Sequence, residues 1–302
     1  MGKKKKKGVG KKHLNPVLTV ALFIFLGVLF TVTTSVSKFQ KASSATPKPS
    51  ILGVLSKPKT SIQKTARKQV PAIPQSYGKS VNVPILYYHY IGTNGNPEDV
   101  ARDNLSVAPD KFDEQMAYIA KNGYNVITLD TLYAALQGNV TLPPKPVVLS
   151  FDDGYIDFYV NAYPVLKKYG FHATSFIPTG LINQGYYLTW AQIKEMDSAG
   201  LISFQAHSVN HLNMPSLSSE QIRYEVNQSK KELEAQIGHP VNFFSYPYGA
   251  SNEEAWKAVK DAGFAGAVGT WYGSIQSEGN IFDMPRIKIP GGLSITDFAS
   301  KI

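Results

Sequence analysis

One pattern constrains this chain above the rest: apolar segments run straight into clustered chemistry. Val147-Val148-Leu149-Ser150-Phe151 ends in Asp152-Asp153-Gly154, and Ile202-Ser203-Phe204-Gln205-Ala206 ends in His207-Ser208-Val209-Asn210-His211. Functional residues that recur at the C-terminal ends of strands are the arrangement of barrel enzymes. From about residue 81 onward, short apolar strands alternate with amphipathic helical stretches, the signature of an α/β fold. Strands are expected at 83–88, 125–128, 146–151, 172–177, 202–206, 243–245 and 265–268. Helices are expected at 111–121, 131–136, 159–169, 190–199 and 253–262, with a longer one between Ser218 and Gly238. Ser218 and Gln221 form a capping box at its start, and Ile222, Val226, Leu233 and Ile237 line one of its faces. The expected fold is a (β/α) barrel, irregular or incomplete.

One carboxylate with two imidazoles is a ligand set for a catalytic divalent metal with open positions. A second carboxylate beside a metal-bound water is a general base. Successive side chains of extended backbone point to opposite sides, so Asp152 and Asp153 are expected to divide these two tasks. An isolated Asp-Asp-Gly is as often a solvated turn, and two histidines four apart can be surface residues. Both motifs at strand ends together indicate a metal-assisted hydrolase.

The formal charge of +9 is the sum of two opposite regions. Residues 1–79 carry 16 Lys and Arg and no acid, whereas the remainder has 15 basic and 22 acidic side chains. The folded part is therefore acidic, which argues against a nucleic-acid partner. No cysteine is present, so disulfides and thiolate metal sites are excluded. A basic tail at 1–13 precedes 24 residues without formal charge at 14–37, long enough to span a bilayer. Lysines stay cytoplasmic, so a single-pass anchor with the C-terminal bulk outside the cell is expected. Cleavage near Ala42-Ser43-Ser44-Ala45 would instead release a secreted protein. Residues 38–80, rich in Pro, Ser, Thr and Lys, are expected to be a disordered linker to the domain at 81–302.

Ser150-Phe151-Asp152-Asp153-Gly154, His207-Ser208-Val209-Asn210-His211 and Tyr246-Pro247-Tyr248-Gly249, in that order, resemble the polysaccharide deacetylase domain (NodB homology, carbohydrate esterase family 4). The resemblance covers roughly residues 80–302. It implies a distorted (β/α)7 barrel and metal-dependent removal of acetyl groups from an N-acetylated polysaccharide. It implies Asp152 as catalytic base and Asp153, His207 and His211 as ligands of a divalent metal, usually Zn2+. It also places the Tyr248 N–H, in the Pro247-Tyr248 turn, against the oxyanion.

Two departures matter. The family's third motif commonly begins with an arginine, and Ser245 stands there. The usual C-terminal histidine motif is missing, since no histidine follows His239. Pro84-Ile85-Leu86-Tyr87-Tyr88-His89 resembles the poly-N-acetylglucosamine deacetylase branch, in which an N-terminal histidine supplies the general acid. His89 is expected to act as that acid, and Arg286 to replace the lost arginine. Tyr186, Tyr187, Trp190, Trp271 and Tyr272 are candidates to stack on sugar rings, although aromatic residues more often fill cores. The rival expectations are an inactive carbohydrate-binding module and a wall-docking membrane scaffold on the same fold. The intact base and metal trio favour the enzyme.

Overall fold

The computed structural model describes residues 1–2, 79–96 and 98–302. The expected tail at 1–13 (beyond residue 2), the transmembrane segment at 14–37 and the linker up to residue 78 lie outside the described residues. Among the described residues, no helix is long and apolar enough to cross a membrane. The chain divides at Val70–Pro71, and the fold below is that of the second unit.

Its strands are β1 (Ser80–Asn82), β2 (Ile85–Tyr88), β3 (Tyr90–Ile91), β4 (Ser106–Val107), β5 (Asn125–Val126), β6 (Pro146–Phe151), β7 (Ala173–Ile177), β8 (Ile202–Ala206), β9 (Phe243–Ser245), β10 (Gly266–Tyr272), β11 (Ile275–Ser277) and β12 (Met284–Lys288). Seven of them close a parallel ring in the order β2-β6-β7-β8-β9-β10-β12, with β12 returning to β2. The expected seven-stranded barrel is thus present, and its distortion has a definite place. β6 has three parallel partners: Val147 bonds the β5 side and Val148 the β2 side, on opposite edges, so β5 shares its edge of β6 with β7.

Alternation along the strands sorts side chains into layers. Ile85, Val148, Phe176, Phe243, Val268 and Met284 form an apolar interior cluster, against which Leu129, Leu132 and Leu136 of the helix Leu129–Leu136 pack. The intervening residues, such as Leu86, Leu149 and Phe244, join a second cluster shared with the helices. Continuing the interior face two residues at a time leads from Ile85 to Tyr87 and His89, from Val148 to Ser150 and Asp152, and from Met284 to Arg286. The period-2 rule therefore delivers the chemistry to the C-terminal mouth of the barrel.

The long helix Ser219–Ile237 has the expected capping box at Ser218 and Gln221 and ends at Gly238 in the left-handed region. The helix expected at 159–169 is instead a π-turn, Phe158–Ala162, followed by an α-helix, Tyr163–Tyr169. Pro164 near that junction has no N–H to donate to the preceding turn, which accounts for the break.

Candidate active site

Asp152 and Asp153 do face different partners. Asp153 has φ +73°, in the left-handed region that L-residues rarely adopt, and this turns its carboxylate away from that of Asp152. Ser208, His211 and Tyr248 also have positive φ. Strain of this kind concentrates where surroundings hold a functional geometry.

Asp153 Oδ1 lies 3.3 Å from His207 Nε2 and 3.1 Å from His211 Nε2. Ligand atoms of the three residues fall within 4.8 Å of one another. His207 Nδ1 is 2.7 Å from the Ser245 carbonyl oxygen. That contact places the ring proton on Nδ1 and leaves the Nε2 lone pair facing the cluster. Asp153 Oδ1 is buried and has no hydrogen-bond donor in proper geometry. A buried carboxylate oxygen facing two imidazole nitrogens is the donor set a divalent cation satisfies, so the residues present fit a metal. Burial opposes charge on Asp153, but His207 and His211 beside it hold its carboxyl well below the usual range.

Asp152 is held by Arg286, whose Nη1 donates to Oδ1 at 2.9 Å and whose Nη2 donates to Oδ2 at 2.7 Å. The guanidinium is fully buried and spends every donor: Nε on the Gly269 carbonyl, and the remaining Nη protons on Ser150 Oγ and Ser245 Oγ. The Tyr87 ring covers it at 4.4 Å. Burial, the largest single influence, would raise the Asp152 carboxyl, but the charge and hydrogen bonds of Arg286, joined by His207 and His89, together hold it below its ordinary value. The guanidinium missing at Ser245 thus arrives from β12, and the small Ser245 side chain accepts one of its hydrogen bonds.

His89, Asp152, Asp153, His207, His211 and Tyr248 line one cavity of about 320 Å³, together with Leu105, Tyr155, Tyr187, Gly249 and Thr270. Burial pushes the His89 imidazole down while Asp153 and Asp152 draw it up, and the net shift is downward. Tyr155 and Tyr187 line one side with ring centroids 5.2 Å apart, and Tyr90 stacks on Tyr155 at 3.8 Å. Tyr248 sits beside His211 at 4.7 Å and is largely exposed.

Two expected contacts are not brought to this cavity. Pro247 is buried beneath the turn Pro247–Gly249 and does not line it. Trp271 is half-exposed, donates Nε1–H to the Asp283 carbonyl, and lines a separate hollow of about 420 Å³ with Trp256. The bulge in β10 carries it there: between Val268 and Tyr272 that strand has extra residues against β12, so alternation no longer predicts the facing side. Of the other aromatic candidates, only Tyr187 lines the cavity, whereas Tyr186 is exposed. Tyr155 lines the cavity although the sequence does not single it out; its position, directly after Gly154, is the available signal.

Fold and site together define an α/β-barrel hydrolase with a carboxylate–imidazole cluster at its mouth. A family model described as "Polysaccharide deacetylase" matches residues 139–267. A Bacillus subtilis (strain 168) protein named "Putative polysaccharide deacetylase YxkH" is 34% identical over 224 residues, which cover 74% of this chain and 77% of that protein. The chain belongs to the polysaccharide deacetylase family and is a deacetylase. The poly-beta-1,6-N-acetyl-D-glucosamine N-deacetylase of Staphylococcus aureus (strain N315) is 28% identical over 200 residues, 62% of this chain and 68% of that protein. The structure of Streptococcus pyogenes deacetylase PplD in complex with acetate aligns with a TM-score of 0.69 at 35% identity, covering 74% of this chain and 99% of that one.

Proposed function

We propose that this chain is a metal-dependent N-deacetylase of an extracellular amino-sugar polysaccharide, a polymer of N-acetylglucosamine of exopolysaccharide or peptidoglycan type. The observation that carries the reading is the division of labour in one cavity: Asp152 held by Arg286, Asp153 grouped with His207 and His211. An inactive binding module has no need of either arrangement. The names of the Staphylococcus and Streptococcus relatives, one an N-deacetylase of poly-N-acetylglucosamine and one a deacetylase seen with acetate, support the chemistry.

Asp153, His207 and His211 would hold the ion, with zinc suited to this nitrogen and oxygen set. Such an ion, when bound, supplies Lewis-acid activation of a water and of the acetyl carbonyl. Asp152 takes the proton from the attacking water, and Arg286 fixes the direction of its carboxylate. His89, across the cavity, gives a proton to the departing sugar nitrogen. The Tyr248 N–H is assigned to the developing oxyanion. The Tyr155–Tyr187 wall offers apolar faces to a pyranose ring. The basic, apolar N-terminus is assigned to a membrane anchor that keeps the barrel outside the cell.

Acetate release from β-1,6- and β-1,4-linked N-acetylglucosamine oligomers and from peptidoglycan, with and without chelator, tests the reading. Chelator-sensitive release from at least one amino-sugar substrate is expected. Release that survives thorough chelation, or none from any of them, would sink it.

A further inference from the structure

The loop that carries both histidines is not held by the barrel alone. Glu225, on the outer helix Ser219–Ile237, is 2% exposed, and no cation pairs with it among the described residues. Its Oε2 accepts the backbone N–H of Val209 and of Asn210, each at 2.8 Å, and its Oε1 accepts Asn210 Nδ2 at 2.7 Å. All three bonds fall between His207 and His211. The opposite side of the loop is latched too: Thr179 and Gly180 donate N–H to the Ser208 and Val209 carbonyls, and Thr179 Oγ1 donates to Glu232, two turns along the same helix. Ser208 and His211 sit at φ +64° and +54°, a conformation that relaxes unless the surroundings hold it.

We propose that Glu225 is a positioning residue: it holds the His207–His211 loop in the conformation that turns both imidazoles onto Asp153, and so sets metal affinity from outside the barrel. The inference rests on Asp153, His207 and His211 being the metal ligands. A carboxylate suits the place because it only accepts, and the three groups that face it only donate. A neutral amide there loses the charge behind both backbone bonds, and its N–H2 meets Asn210 Nδ2 unless that exposed amide turns over. A buried glutamate with no cation nearby is otherwise a costly choice for a helix face, which a Leu or Met would fill.

Donor–acceptor exchange tests this in the full-length chain, with zinc affinity read by competition against a chelating dye and the fold by the melting of the metal-free protein. E225Q is expected to bind zinc about 10–100-fold more weakly, the usual cost of losing a partner behind the ligands. E225Q/N210D restores the pairing, because the amide introduced on the helix can donate to the carboxylate introduced on the loop, and is expected to regain most of that affinity. N210A, at an exposed site, removes one bond and is expected to weaken binding about fivefold, so it serves even where E225Q does not fold. Wild-type affinity in folded E225Q or in N210A overturns the proposal, as does a double variant no tighter than E225Q. D153A separates the two readings: zinc binding lost there but unchanged in E225Q sinks the role of Glu225 alone. Undiminished zinc binding in D153A sinks the ligand assignment itself.

Discussion

Arg286 and Asp152 are a buried ion pair whose value lies in mutual dependence. Removing the guanidinium leaves a carboxylate without a partner inside the barrel, so Arg286→Ala is expected to cost about 3–5 kcal/mol in denaturant unfolding. Arg286→Lys keeps the charge but not the fork, and deacetylation should fall with less loss of stability. Because Ser245 already touches the guanidinium, Ser245→Arg in an Arg286→Ser background is expected to recover part of the activity lost in Arg286→Ser alone. No gain in acetate release would mean that the direction of approach matters. A second carboxyl gives a pH signature. Burial raises Asp157 to about 6, and its Oδ1 has no partner. The fold therefore prefers the protonated form, and this contribution is complete below about pH 4 and lost as pH rises through about 6. Asp157→Asn should melt a few degrees above wild type at pH 7 and alongside it at pH 4.

At the level of elements, the strands that lead into Asp152, Asp153 and the two histidines are legible because their apolar runs end abruptly in polar chemistry. Pro146–Phe151 and Phe243–Ser245 lie where periodicity places them, and the capped helix after Ser218 needs only its Ser, Gln and Gly. β12 is not legible. Pro285 sits inside it, and proline argues against a strand interior. The structure accommodates that proline where β10 bulges between Val268 and Tyr272. Arg286 stands out by its chemistry, but nothing in sequence shows which strand would aim it. Glu225 is equally hidden, since a polar residue on an amphipathic helix reads as solvent-facing. Trp271 lies away from the cavity for the reason β12 is hidden: both depend on the bulge. The turn after β9 carries its own prediction. Gly249 has φ +66°, and a Cβ there would overlap Thr270. Gly249→Ala is expected to lower stability by roughly 2 kcal/mol or more and to displace Tyr248 from the cavity, visible as a melting shift with a fall in kcat.

For the molecule as a whole, an ion that binds the folded barrel alone must stabilise it. Zinc at one hundred times its dissociation constant is worth about 2.7 kcal/mol, a rise of about 5–10 °C over the chelated protein. Asp153→Ala should abolish that rise, and an equal rise in the variant would place the ion elsewhere. The ring itself has a temporal consequence. β12 closes on β2, so the last of the described strands lies against one of the first, about 200 residues apart. Arg286 rides on that final strand. Until β12 has been synthesised and docked, β2 and β10 each keep a bare edge and Asp152 lacks its Arg286 partner. A product that stops short of β12 lacks Arg286 and is expected to release no acetate, so the carboxylate made early waits on a strand made about 130 residues later.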